Sequence, residues 1–267
     1  MSKVVLITGG SSGIGKSIGE FLSQKGYTVY GTSRSPERYP DSKIKLVALD
    51  VADVLSIENA IKTVIEDAGQ LDVVINNAGA GITGPIEEIP DEEIKRNFET
   101  NFFGPINVIK AALPQMRKQN SGLVINITSI AGYMGLPYRG IYSASKGALE
   151  LITEAFRMEI KDFNIHMTNV APGDFATNIA AGRYHAPVTN GSPYETKYSS
   201  VLNAIDADVD SGDNPMMVAT MIYKIINTPN PKIHYKVGAF MQKFSIVLKR
   251  ILPDKMYEKL LLNHYKL

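Results

Sequence analysis

Between residues 3 and 22 the chain runs from a short apolar strand through a glycine turn into a helix, and this unit limits the fold more than any other stretch. Lys3-Val4-Val5-Leu6-Ile7-Thr8 reads as a parallel strand buried on both faces. Thr8-Gly9-Gly10-Ser11-Ser12-Gly13-Ile14-Gly15 follows, and Ile14, Ile18, Phe21 and Leu22 then recur at helical spacing before Gly26. Glycines let the backbone turn tightly and approach a ligand without Cβ clashes. The helix N-terminus offers free N–H groups and a partial positive charge, which suits a pyrophosphate. Gly9, Ser11, Ser12, Gly13 and Ile14 are therefore candidate phosphate contacts, in a Gly-x-x-x-Gly-x-Gly spacing rather than the better-known Gly-x-Gly-x-x-Gly. A tight turn that holds no ligand is the alternative.

The alternation continues along the chain. Residues 27–33 form a second strand and residues 44–49 a third. A helix over 54–68 carries Leu55, Ile57, Ile61, Val64 and Ile65 on its apolar side. Residues 72–75 are a fourth strand that runs into Asn76-Asn77-Ala78-Gly79. Helical segments follow at about 91–103 and 105–118, with Asn101 near their junction. Residues 122–128 form a fifth strand ending at Ser129, and a helix covers 142–162. Residues 165–170 form a sixth strand, leading to Pro172-Gly173-Asp174-Phe175-Ala176-Thr177, and 234–238 form a seventh. Strands alternating with helices at this interval mean an α/β fold: a doubly wound parallel sheet of about seven strands with helices on both faces. The 267 residues suit one such domain with an ample core. Ligands of these sheets bind at the carboxyl ends of the strands, where Asp50, Asn77 and the first glycine turn all project.

The second strand ends Gly31-Thr32-Ser33-Arg34, with no acid. An acid there would hold a ribose 2′-hydroxyl and repel a 2′-phosphate; Arg34 would pair with that phosphate, and Thr32 and Ser33 could donate to it. The reading favours NADP(H) over NAD(H), against the alternative that Arg34 is a solvated loop residue. In Tyr142-Ser143-Ala144-Ser145-Lys146 a tyrosine and a lysine four residues apart share a helix face. A phenol has an unperturbed pKa of roughly 10, and a nearby ammonium lowers it, which makes Tyr142 a candidate general acid or base. Taken alone the pair is common, and its weight comes from the strand ends around it.

Composition removes other chemistries. With no cysteine there is no disulfide, thiol catalysis or Cys-ligated metal. The four histidines show no metal-ligand spacing, so no metal is expected. A net charge of +1 gives no overall pull toward nucleic acid. No residue run reaches the length of a membrane span and the first residues lack a signal-peptide layout, so the expected location is cytoplasmic.

Thr8-Gly-Gly-Ser-Ser-Gly-Ile-Gly15, Asn76-Asn-Ala-Gly79, Ser129, Tyr142-x-x-x-Lys146 and Pro172-Gly-x-x-x-Thr177 together resemble the short-chain dehydrogenase/reductases, in the single-domain oxidoreductase branch. The resemblance runs from residue 3 to about residue 178. It implies a Rossmann-type fold, a nicotinamide cofactor and a catalytic tetrad of Asn101, Ser129, Tyr142 and Lys146. In that scheme Ser129 polarises a carbonyl, Tyr142 exchanges a proton with its oxygen, and Lys146 lowers the tyrosine pKa and holds the nicotinamide ribose. Asn101 fixes a water that relays protons to Lys146. Asp50 and Val51 flank the adenine, Asn77, Ala78 and Gly79 line the cofactor edge, and Thr177, after Pro172 and Gly173, binds the carboxamide. Asn101 and Ser129 as simple caps remain the alternative, and a catalytically silent NAD(P)-binding regulator is the competing function. A homodimer or homotetramer is expected.

On the substrate side, Tyr133-Met134-Gly135-Leu136-Pro137-Tyr138 is apolar and aromatic. Residues 178–214 read as a lid, in which His185 is a surface-loop residue or, alternatively, a contact to a polar substrate group. Asn214-Pro-Met-Met-Val-Ala219, the turn at Pro229–Pro231 and His234-Tyr-Lys-Val-Gly238 loosely resemble the 17β-hydroxysteroid dehydrogenases and retinol-type enzymes, which implies a small hydrophobic alcohol or ketone. Residues 239–267 form a helical extension. From 232 to 267 there are eight Lys/Arg against Asp254 and Glu258, which leaves +6 there and −5 elsewhere. Phe240, Phe244, Val247, Leu248 and Ile251 fall on one helical face, Pro253 interrupts it, and Met256, Leu260 and Leu261 resume it. This face packs over the pocket or against another subunit, or it touches an anionic membrane surface.

Overall fold

The structure is a computed structural model that describes residues 2–175, 182–210 and 212–267, with residues 204 and 206–210 described by backbone alone. Its first half contains β1 (Val4–Ile7), α1 (Gly13–Gln24), β2 (Thr28–Ser33), β3 (Lys45–Ala48), α2 (Val54–Ala68), β4 (Val73–Asn76), β5 (Ile82–Thr83), α3 (Asp91–Phe98), α4 (Gly104–Gln119) and β6 (Gly122–Ile127). There follow α5 (Gly140–Glu159), β7 (Ile165–Pro172), β8 (Tyr184–His185), α6 (Glu195–Asp210), α7 (Met216–Ile226), β9 (His234–Val237), α8 (Phe240–Ile251) and α9 (Asp254–Tyr265).

Seven strands pair in parallel in the order β3-β2-β1-β4-β6-β7-β9. The chain winds outward from β1 to β3, returns to place β4 beside β1, and winds the other way. The switch between β1 and β4 opens a crevice at their carboxyl ends. Side chains alternate along each strand, so one strand feeds two cores. Val4 and Leu6 pack with α2 and α4, through Ile57, Ile61, Val108 and Ile109. Val5 and Ile7 pack with α1 and α7, through Ile18, Leu22, Val218 and Ile222. Every residue of β1 is buried, as a strand covered on both faces requires.

Local chemistry sets several boundaries. Asp53 caps α2 by accepting from Leu55 N–H at 2.9 Å, and Gly69 closes it at φ +74°. The helix expected to reach residue 162 ends at Glu159, because a 3₁₀ turn at Lys161–Phe163 and the left-handed Asn164 close it. The two segments expected to meet near Asn101 are one helical run with a π-turn at Glu99–Phe103 between α3 and α4. The described part of the 178–214 region is not a plain loop. Strand β8 pairs with β5, and α6 buries Tyr198 and Val201.

Two glycines on α1 show which close approaches the fold cannot give up. A Cβ on Gly15 would lie 2.3 Å from the Gly9 carbonyl oxygen, whereas one on Gly19 would meet only the Ile44 Cδ1 methyl at 2.6 Å. Backbone cannot step aside, and a terminal methyl can rotate. Gly15→Ala is therefore expected to destabilise by roughly 1–3 kcal/mol. Gly19→Ala stays within about 1 kcal/mol of wild type, since alanine's helix propensity offsets the crowding. Denaturant midpoints of the two variants decide the matter; equal losses would refute the distinction.

Candidate active site

The crevice is assembled from strand ends. Thr8 Oγ1 accepts from the N–H groups of Asn77 and Ala78, each at 3.0 Å. The Asn77 amide returns two bonds, donating to the carbonyls of Thr8 at 3.0 Å and Gly9 at 3.2 Å. These four bonds clasp the first turn to the end of β4. On the other side Thr32 Oγ1 accepts from Gly9 N–H at 3.2 Å, and Gly10 N–H donates to the Thr32 carbonyl at 2.9 Å. Gly9 and Gly13 adopt φ +66° and +53°. Ser12 precedes α1 without a side-chain cap, and the first turn of α1 has no acid. Unpaired N–H groups at a helix start, an open turn and no competing anion make a cradle that fits a pyrophosphate.

The other residues expected to contact a nucleotide are placed as follows. Thr32 is buried and bonded inward, so it supports the turn instead of facing the groove. Ser33 Oγ accepts from Ser35 N–H at 3.2 Å. Arg34 is exposed and makes no ion pair among the described residues. Asp50 Oδ1 accepts from Ala52 N–H at 3.0 Å, and Val51 is buried beneath it. Pro172 ends β7, and Gly173 N–H donates to the Val237 carbonyl at 2.8 Å. Thr177 lies outside the described residues.

The candidate reacting groups lie on the elements beside the crevice. Ser129 Oγ accepts from Ala131 N–H at 3.1 Å and so caps the turn Ile130–Tyr133; the bond uses a lone pair and leaves the hydroxyl hydrogen to donate. That turn meets α5 backbone to backbone. A Cβ on Gly132 would lie 3.0 Å from the Lys146 carbonyl carbon, and one on Gly147 2.8 Å from the Gly132 carbonyl oxygen. This contact holds Ser129 against the helix that carries Tyr142 and Lys146. Lys146 is buried, and its ammonium donates to the Ile127 carbonyl at 3.0 Å. Burial pushes its pKa down to about 8, against a smaller upward pull from Glu150. Tyr142 is half-buried among Ile82, Tyr138, Ile141 and Tyr184. The Arg139 guanidinium lies over its ring, 5.6 Å from the centroid.

Asn101 comes from the π-turn and is fully buried. Its amide donates to the Ala80 carbonyl at 2.9 Å, Asn97 Oδ1 at 3.1 Å and Ser145 Oγ at 3.2 Å, while its Oδ1 accepts from Ala80 N–H at 2.8 Å. Gly79 separates it from the lysine: a Cβ there would lie 3.2 Å from both Asn101 Oδ1 and Lys146 Nζ. Glycine therefore lets the backbone pass close to both atoms, where a Cβ would crowd them.

A family model described as short chain dehydrogenase matches residues 3–187. The chain belongs to this family. The 3-ketodihydrosphingosine reductase of Bacteroides thetaiotaomicron is 40% identical over 257 residues, covering 96% of this chain and 95% of that protein. An NADPH-dependent 3-dehydrocapnine reductase from Ornithobacterium rhinotracheale is 30% identical and covers 99% of this chain and 98% of its own. The crystal structure of a short-chain dehydrogenase from Streptomyces avermitilis superposes with a TM-score of 0.84 at 30% identity, over 100% of this chain and 97% of that one. As a short-chain dehydrogenase the protein is an oxidoreductase of the carbonyl–alcohol class.

This short-chain dehydrogenase also holds groups at the site that the motifs did not single out. Asn97 and Ser145 orient Asn101, each one helical turn from a motif residue. Gln242 of α8 donates to Asp174 Oδ2 at 2.8 Å and so ties the C-terminal helices to the segment after Gly173. His185 is not a surface-loop residue: it sits in β8 with Nδ1 2.9 Å from Thr83 Oγ1. Behind Lys146, the buried Glu150 carboxyl collects donors from Thr128 Oγ1, Tyr133 Oη at 3.0 Å and Asn169 Nδ2 at 3.0 Å. His234 completes the set, with Nδ1 2.6 Å from Glu150 and Nε2 3.0 Å from Glu154. The Glu150 hydrogen bond, above all, holds the His234 pKa above its ordinary value, opposed by burial and assisted by the charges of both carboxylates.

A raised folded pKa stabilises the fold most below the unfolded value of roughly 6.5, and the contribution fades as pH climbs through the folded value. The stability gap between wild type and His234→Gln is therefore widest below the unfolded value of roughly 6.5 and narrows as pH rises above it. Thermal melts of both proteins on both sides of that value measure it; a gap independent of pH would show that no charged His234–Glu150 pair is at work.

Proposed function

We propose that this protein is an NADPH-preferring reductase of a ketone on a lipid-like, long-chain substrate, with Tyr142 as the proton donor. The observation that carries the reading is the backbone contact of Gly132 with Gly147, which sets the Ser129 turn against the Tyr142–Lys146 face of α5. Bound in the cradle, the nicotinamide dinucleotide supplies the hydride. Ser129 donates to the substrate carbonyl oxygen and polarises it. Tyr142 passes its phenolic proton to that oxygen. Lys146, as an ammonium, favours the phenolate left behind. Asn101 keeps Gly79 and Ala80 in place beside Lys146, and a water bonded to both Asn101 and Lys146 would relay the proton. In oxidation every proton step reverses.

The substrate class draws on the two named relatives, a 3-ketodihydrosphingosine reductase and a 3-dehydrocapnine reductase, and on the residues around Tyr142. Tyr138, Tyr184, Tyr194, Tyr198 and Leu202 cluster with Tyr142, which gives that side an aromatic and apolar character. Helix α6 and β8 form the cover over this side. The cofactor preference rests on Arg34 and on the absence of an acid at the end of β2, in keeping with the NADPH-dependent relative. A second copy of the chain is proposed to pack on α5, whose Leu151 and Met158 are 69% and 68% exposed.

Tyr142→Phe should retain cofactor affinity and lose roughly 10²–10⁴-fold in kcat toward ketones, the range for a missing general acid. The assay follows NADPH consumption across a panel that runs from short ketones to 3-keto long-chain bases. Unchanged turnover in the variant would assign the chemistry elsewhere, and no turnover in wild type on any ketone would favour a silent dinucleotide-binding protein. Arg34→Asp should move the ratio of kcat/KM for NADPH over NADH downward by about tenfold or more; a ratio that stays put removes Arg34 as the phosphate ligand.

A further inference from the structure

Helices α8 and α9 carry a surface that the reaction does not use. Phe240, Phe244, Val247 and Ile251 are spaced so that they share one face of α8. That face is turned outward: Phe240 is 71% exposed, Ile251 73%, Val247 41% and Phe244 38%. The rings of Phe240 and Phe244 stack with centroids 5.7 Å apart. Met256 and Leu260 of α9 are exposed as well. The opposite face of α8 is anchored. Ile246 is buried with Ile130, Met134 and Tyr257, and Gln242 holds Asp174. Single exposed apolar residues need no explanation, but a stripe on a firmly anchored helix does.

Charge selects the occupant. Lys243 and Arg250 flank the stripe on one side, and Lys255 and Lys259 are exposed on α9. Residues 232–267 carry +6 while the rest of the chain carries −5. Asp254, one of two acids in that segment, is already paired with Lys249 at 2.8 Å. A second copy docked through a twofold axis would lay this basic patch against itself. An anionic lipid surface offers both phosphates for the lysines and acyl chains for the phenylalanines. No helix of the described residues is long and apolar enough to cross a membrane, so the mode left to α8 is to lie in the interface.

We propose that α8 and α9 seat the protein in-plane on an anionic bilayer, with Phe240, Phe244, Val247 and Ile251 at the acyl boundary and Lys243, Arg250, Lys255 and Lys259 on the phosphates. The inner face of the same helix packs on Met134, which follows the Ser129 turn, and holds Asp174, which follows Gly173, so docking sets these strand-end segments beside the bilayer. The surface carries this inference independently of which ketone is reduced.

Flotation of the full chain with vesicles tests it, using phosphatidylcholine alone or with about 30 mol% phosphatidylglycerol. Wild type should float with the anionic vesicles and bind roughly tenfold or more weakly to phosphatidylcholine alone or in about 0.5 M salt. Phe240→Ser/Ile251→Ser and Arg250→Glu/Lys259→Glu should each lose at least about tenfold in binding, with melting temperature and ketone turnover held. The chain has no tryptophan, so Phe240→Trp adds a lone reporter whose emission should shift to the blue on anionic vesicles. Failure of wild type to float, binding by both double variants equal to wild type, or an unshifted reporter would overturn the proposal. So would light scattering that shows wild type dimeric and Phe240→Ser/Ile251→Ser monomeric with no flotation by either. Flotation with no ketone turnover would sink the proposed reaction and leave the docking surface standing.

Discussion

The site is organised around an ammonium that has been taken out of water. Burying a charged amine is costly unless the protein replaces its hydration, and among the described residues Lys146 receives the Ile127 carbonyl as a direct replacement. Burial dominates, and the pKa settles at about 8, within reach of neutral pH. Glu150 lies one turn further along the same helix and pulls the other way, yet its carboxyl is occupied by Thr128, Tyr133, Asn169 and His234. The lysine is thus held between a carbonyl at the end of β6 and a carboxylate committed elsewhere. Such a group can influence a neighbouring phenol only if its position does not relax, and the packing of Gly132 on Gly147 leaves little room for that.

The cradle obeys a related constraint. Among the described residues, the bonds that hold the first turn to the crevice come from strands distant in sequence. Asn77 and Ala78 share four bonds with Thr8 and Gly9 across a separation of about seventy residues, and Thr32 supports the turn from the other side. Each bond is modest in isolation. Together they couple the ends of β1, β2 and β4, so the candidate cradle exists only once the central strands are paired. Parallel pairing makes these contacts non-local and costly in loop entropy to form. The site is a product of the completed sheet rather than of any one segment.

Much of this was legible in the chain because the strands are short, apolar and punctuated by polar residues at their carboxyl ends. Strand–turn–helix periodicity fixes where Thr8, Asn77, Ser129 and Gly173 emerge, and the sheet topology does the rest. The parts that were not legible share a physical reason. Strands β5 and β8 are two residues each, too short for any alternation. The Glu150–His234 contact spans 84 residues with no local signal. The π-turn has no unusual composition, since a π-turn is set by how the helix must aim its side chains. For α8 the apolar stripe was evident, but periodicity cannot say what a stripe faces. Leu248 lies half-buried with the inner cluster while Phe240 and Ile251 look outward.

That π-turn has a consequence for how the long helix can change. Inserting one residue rotates everything after it by about a hundred degrees relative to an unbroken α-helix. Asn97 and Asn101 before and within the turn point at the site, whereas Val108, Ala112 and Met116 beyond it point into the core. The helix is therefore written in two reading frames. Substitutions that tune the frame at the site need not disturb the one that packs the sheet, and a family that must reshape its cleft while keeping its scaffold has the two assignments already separated on a single element.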